Sequence, residues 1–211
     1  VEVGVEQIVE FQNSIGVDIA TMLDVFSRPD MTHAQVEACV DETLVRAGPS
    51  VATSGRTMLN GPIQGGLFRD LRTKSAKGMA AYDFAVHPIG GIVPVMEQHR
   101  YKDYAKIMLA SLPYLPPQRP VHMFGCGHPM LFPMSIALGA DLFDSAAYAL
   151  FARDGRLLTP WGTERIESMV DWPILMPCVA YISPSEARAM PKDERTKLLA
   201  RYNLEMTLIK R

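Results

Sequence analysis

The chain has 211 residues, 48% hydrophobic and 21% charged, with a formal net charge of -2. That is the composition of an ordinary globular domain, and the length suffices for a sizeable core. It excludes a membrane-spanning protein, because no apolar run reaches the ~18 residues that a span needs, and no stretch reads as a signal peptide. The balanced charge does not announce a nucleic-acid binder, so such a partner would have to meet a local basic patch. Cys39, Cys126 and Cys178 are odd in number and widely spaced. They form no disulfide framework and fit a reducing, cytoplasmic setting.

Taken in order, Ile8, Val9, Phe11 and Ile15 predict a short amphipathic helix over 6–15, ended by Gly16. Residues 17–23 read as a strand that runs into Asp24. Thr32 and Gln35 make a capping box for a helix expected to reach Ala47 and stop at Gly48-Pro49. A second strand, 57–64, ends in Gln64 and closes on Gly65-Gly66, and a helix over 67–80 follows. A third strand, 84–89, closes on Gly90-Gly91. One long helix is expected over 95–111, before a linker with Pro113, Pro116, Pro117 and Pro120. Residues 121–124 form the fourth strand. Residues 129–138 are apolar almost all round, which predicts a buried helix. The fifth strand, 141–145, carries Asp141 at its start and Asp144 near its end. After Arg153 the chain turns more polar, and the tail looks helical from Ser185 on.

Five strands alternating with helices predict an α/β fold with a parallel sheet joined by right-handed crossovers. Asp24, Gln64, Gly90-Gly91 and Asp144 all fall at strand C-termini, where both barrels and doubly wound sheets carry their chemistry. Spacing alone leaves Asp144 two readings, a residue that caps the next turn or one that serves the chemistry.

Several motifs extend this pattern: MLDVFSRPD (22–30), IQGGLFRDLRTKSA (63–76), HPIGGIVPVME (87–97), HMFGCGHPM (122–130) and GADLFDSAAYALFARDGRLLTP (139–160). Together, and in this order, they resemble the tRNA-guanine transglycosylase family, most of all its archaeal, archaeosine-type branch. The likeness runs from near Val1 to about Asn203.

That resemblance implies a (β/α)8 TIM barrel, of which 1–153 would be the last five β/α units and 154–211 a tail that closes it. The first three strands of the family barrel are absent. A preceding segment or a partner chain is therefore expected to complete it, and to bring the aspartate that the family carries after its third strand. The implied activity is that of a pentosyltransferase. It exchanges guanine in tRNA for a 7-deazaguanine precursor base through a covalent ribosyl-aspartate, with tRNA and the base as partners. Asp144 matches the nucleophile. Asp24 matches the residue that accepts from the Watson-Crick edge of guanine, where two donors lie side by side. Gln64 matches the glutamine at the far edge of the purine. Gly90, Gly91, Ile92 and Val93 match the loop whose amides meet the base carbonyl.

The family also binds zinc through Cys-x-Cys-x-x-Cys and a later His. Here the matching positions are Ile174, Met176, Val179 and Tyr202, so neither zinc nor any other cofactor is expected. His87, His122 and His128 read as core or loop histidines rather than ligands. The missing strands and lost metal ligands leave an alternative open: a non-catalytic or repurposed paralogue that binds tRNA or a partner subunit, or a relative acting downstream in archaeosine synthesis.

Overall fold

A computed structural model describes residues 3–208. It divides into two compact units, Val1–Phe124 with Ser135–Phe143, and Gly125–Met134 with Asp144–Arg211. No described helix is long and apolar enough to cross a membrane.

The first unit is an alternation of strands and helices. Its strands are β1 (Ile19–Thr21), β2 (Met58–Asn60), β3 (His87–Ile89), β4 (Val121–Met123) and β5 (Leu142–Phe143). β1 pairs β2 in parallel, Ala20 opposite Leu59, and β3-β4-β5 form a second parallel set. Parallel bridges from Asn60 to Val86 and from Ile63 to Ile89 link the two sets. The five strands thus lie in chain order, all pointing one way. Ala20, Leu59, Ile89 and Met123 are buried along them. The helices are α1 (Val5–Ser14), α2 (His33–Ser54), α3 (Arg69–Met79), α4 (Val93–Glu97), α5 (Tyr101–Ser111) and α6 (Phe132–Ala137), the last beginning in the other unit. Val36 and Val40 of α2 pack on Leu71 of α3. The expected capping box forms: Thr32 N–H donates to Gln35 Oε1 at 2.9 Å, and Gln35 N–H to Thr32 Oγ1 at 3.4 Å.

Three helix expectations need correction. α2 does not stop at Gly48-Pro49 but runs through to Ser54, with Pro49 inside it. Proline removes one helical N–H, and the carbonyl it deserts belongs to Val45, on the exposed side of the helix. Ala47 and Ser50, fully buried on either side, hold the helix on course. The single helix over 95–111 is two, α4 and α5, broken at His99, whose φ of 57° is left-handed. The break falls in the polar run 97–100, which holds neither proline nor glycine, so no breaker residue marks it. Residues 129–138 form a 3-10 turn, Pro129–Leu131, and then α6. This stretch is not buried throughout, since Ile136 is 59% exposed. α6 is held by Ser135, fully buried, whose hydroxyl lies 2.6 Å from that of Tyr104.

The second unit holds α7 (Ala147–Arg153), β6 (Arg156–Thr159), β7 (Gly162–Arg165), α8 (Pro184–Ala189) and α9 (Lys192–Leu208). β6 and β7 make an antiparallel hairpin, Leu157 opposite Glu164, about a turn at Pro160-Trp161. The sequence reading gave only increasing polarity here, although Pro-Trp-Gly is a turn signal. Leu157, Leu158, Ile166, Met176, Val179, Leu199 and Tyr202 close around one core. α9 supplies much of it.

Candidate base-binding and nucleophile sites

Asp24 lies three residues past β1, and Gln64 four past β2. The parallel pairing of these strands brings them together: Gln64 Nε2 donates to Asp24 Oδ2 at 2.6 Å. Gln64 is buried, its own N–H donates to Ser75 Oγ at 3.1 Å, and its Oε1 has no partner. Asp24 is half-buried. A carboxylate and a buried amide are thus paired, and the Gln64 oxygen is left as an unused acceptor.

The glycine loops set this pair. At Gly65 (φ 137°) a side chain would stand 2.6 Å from the Arg72 backbone nitrogen, so the close approach its absence permits is that of α3. At Gly90 any side chain would run into the Gln64 amide, which lies across the bare glycine. The four residues 90–93 do different things. Gly90 N–H is spent on Ile63 O at 3.0 Å. The backbone N–H groups of Gly91, Ile92 and Val93 are used by no hydrogen bond among the described residues. The Ile92 side chain is fully buried, whereas Val93 is exposed.

Sequence reasoning missed one member of this pocket. Arg72, on α3, is completely buried. Its Nε donates to Gly66 O at 2.8 Å, and its Nη1 to Ile63 O at 3.0 Å and to Gly90 O at 2.9 Å. Burial pulls its pKa down to about 9, still charged at neutral pH. Nη2 has no partner, and neither does the buried Oγ of Ser27. In the sequence Arg72 is one of four basic residues, with Arg69, Lys74 and Lys77, on the helix expected over 67–80. Its i+3 place after Arg69 carries no signal that it points inward.

Asp144 follows β5 directly and is exposed. Its Oδ1 accepts from Gly125 N–H at 2.9 Å, in the turn that follows β4. Gly125 has φ 73°. Two residues on, Gly127 lies against Ser145, with no room for a side chain. Ser145 Oγ in turn accepts from Ala147 N–H at 3.0 Å and starts α7. The glycine turn thus fixes one carboxylate oxygen of Asp144. Asp141, at the other end of the strand, accepts from Val121 N–H at 2.8 Å and serves the pairing of β4 with β5.

In the tail, the four positions that match the zinc ligands are packed. Met176, Val179 and Tyr202 are buried core, with Ile174 against them. The Tyr202 hydroxyl donates to Ile174 O at 3.1 Å and accepts from Ile174 N–H at 3.3 Å, and its ring stacks on Trp172. These residues do not fit a zinc ion, which needs thiolate or imidazole donors. Burial, with a hydrogen bond to Glu205, pushes the nearby Cys178 thiol up to about 12, so it is no thiolate. No group of three or more potential ligands occurs among the described residues. His128 is a loop histidine, accepting from Met130 N–H and lying 3.0 Å from Thr163 Oγ1. His87 is fully buried with neither ring nitrogen hydrogen-bonded, and burial holds its pKa below the usual value.

Comparison with known proteins adds a second line. The sequence profile described as "Queuine tRNA-ribosyltransferase" matches residues 1–209. Proteins named "tRNA-guanine(15) transglycosylase" are similar throughout. The one from Methanocaldococcus jannaschii is 47% identical over 98% of this chain and 33% of its own length. That from Thermococcus kodakarensis is 47% identical over 97% and 35%, and that from Methanococcus aeolicus 48% over 96% and 32%. The chain spans about a third of the length of the curated relatives it matches.

Proposed function

The chain belongs to the queuine tRNA-ribosyltransferase family, and from that premise we propose that it serves tRNA-guanine transglycosylation, exchanging guanine for a 7-deazaguanine precursor base on the route to archaeosine. The observation that carries this reading is the Asp24–Gln64 pair, 2.6 Å apart, with the buried Gln64 Oε1 still unpartnered. Asp24 accepts from the N1–H and 2-amino donors of guanine. Gln64 turns from Asp24 to the opposite edge of the ring. The amides of Gly91, Ile92 and Val93 donate to the 6-oxo oxygen. In this reading 1–153 is the later part of a (β/α)8 barrel and 154–211 its closing tail. The rest of the barrel comes from outside these 211 residues, whether a preceding segment or a partner chain.

Asp144 is the nucleophile. A carboxylate oxygen of Asp144 forms a bond to C1' of the target ribose as the C1'–N9 bond breaks, and guanine leaves with the bonding pair. The sugar passes through an oxocarbenium-like state that an adjacent anion stabilises. The incoming base then attacks C1' through N9 from the side guanine left, the carboxylate departs with its bonding pair, and the N9 proton the incoming base sheds balances the one the departed guanine takes up. The Gly125 amide keeps the carboxylate aimed. We also propose that the tail is metal-free, its core doing what a zinc site would otherwise do; elemental analysis giving one zinc per chain would overturn this.

The test is adduct trapping. Full-length protein, denatured during turnover with tRNA, should carry a covalent tRNA–protein species that vanishes in Asp144→Asn. An adduct that persists in Asp144→Asn assigns the nucleophile elsewhere, and guanine exchange without any adduct contradicts the covalent route.

A further inference from the structure

Arg72 is fully buried, and among the described residues it makes no ion pair. A buried cation without an opposite charge beside it is costly, so a fold that retains one gains something in return. Its Nε and Nη1 together donate to three partners, all of them backbone carbonyls. Two of these, Ile63 O and Gly66 O, flank Gln64 on either side, and the third is Gly90 O. One guanidinium thus clamps the two glycine loops into a single piece with Gln64 at its centre. The unpartnered Nη2 faces the Gly91 turn: a Cβ built on Gly91 would lie 3.3 Å from Nη2 and 3.5 Å from Gln64 Oε1. Leucine or methionine would fill the same space without the cost of the charge. What they would not supply is a rigid fork and a positive field behind the Gly91 amide.

We infer that Arg72 is a positioning and specificity-determining residue of the base pocket, holding Gln64 and the Gly90-Gly91 turn in register and favouring a purine that brings a strong acceptor, an exocyclic oxygen, to that turn. The inference rests on the guanine reading above. It adds that the acceptor edge is selected by a buried charge acting through the loop, beside the donor edge that Asp24 reads. A low-dielectric site makes such a field effective.

The experiment titrates the full-length protein with guanine and with 6-thioguanine. The two share N1–H and the 2-amino group, so Asp24 sees the same donors, but sulfur is a much weaker acceptor at position 6. Wild type should prefer guanine by roughly tenfold, in line with a charge-assisted hydrogen bond. Arg72→Met should bring that ratio close to one, and Arg72→Lys, which keeps the charge without the fork, should fall between. Arg69→Ala, an exposed change on the same helix, should leave it unchanged. A merely structural role would weaken both ligands alike, so an unaltered ratio in Arg72→Met and Arg72→Lys overturns the inference while the guanine reading stands. Equal affinity of wild type for both bases overturns it with no variant at all. Failure of wild type to bind guanine removes the reading and the inference together.

Discussion

The base pocket and the tail solve opposite problems with buried polar groups. In the tail, the fully buried Asn203 spends both donors, on Tyr148 O and Arg156 O at 3.1 Å each, and its oxygen accepts from Leu158 N–H at 2.8 Å. Tyr202 beside it is likewise bonded as donor and acceptor. In the pocket, Gln64 Oε1, Arg72 Nη2 and Ser27 Oγ are buried and unpartnered. Unsatisfied groups of this kind cost about 1–3 kcal/mol each, and folded proteins rarely tolerate them without a use. The contrast separates the two roles. Between these two regions, the saturated network serves the fold, and the open cluster leaves three polar atoms that the proposed base would meet.

The sharpest way to break this comparison is through Asp24. Asp24→Asn keeps an acceptor for Gln64 but turns a donor towards the donors of guanine. Guanine affinity, measured by calorimetry, should drop about 100-fold, with the melting temperature little changed because Asp24 is only half-buried. A variant that loses stability and keeps its affinity would make Asp24 a structural turn residue. Asn203→Ala should do the reverse. It deserts three backbone groups and should cost about 2 kcal/mol in denaturant unfolding, while guanine affinity stays within about twofold. Loss of affinity without loss of stability would undo the division between the regions.

The smallest effect concerns His87. Burial holds the folded imidazole below its ordinary pKa of 6.5, against an opposing pull from the Gly61 backbone and with a smaller push from the Arg119 charge. The unfolded chain therefore takes up the proton first. The contribution of His87 is complete above about pH 6.5 and is lost as pH falls below it, with a slope of at most ~1.4 kcal/mol per pH unit. His87→Leu should flatten that part of the stability curve. An identical slope in the variant would place the titration on another group.

Much of this was legible in the sequence. The strand order and the residues at the strand ends follow from hydrophobic runs punctuated by Asp24, Gln64 and the glycine pairs, because a parallel α/β alternation writes its turns locally. What stayed hidden depends on tertiary contact. Pro49 reads as a helix end, and only the burial of Ala47 and Ser50 shows why the helix continues. His99 turns left-handed in a run without proline or glycine, the residues that usually announce such a break. Ile136 is exposed on a segment with no polar face to betray it. Arg72 is the most instructive omission, since arginine is almost never fully buried. Its role depends on three carbonyls brought together from two loops. Gly65 and Gly90 are points of close approach for the same tertiary reason: α3 lies against the one and the Gln64 amide against the other.

The most direct measurement of the central claim is incorporation of labelled guanine into tRNA by the full-length protein at saturating tRNA, wild type beside Asp144→Asn. The amide has nearly the shape of the carboxylate and can still accept from Gly125, so the fold should survive, but it carries no charge for the cation-like sugar and is a far poorer nucleophile. Wild type should incorporate the label, and Asp144→Asn should fall by at least about 1,000-fold with guanine affinity retained. Exchange by Asp144→Asn at near wild-type rate, or none by wild type, would contradict the account.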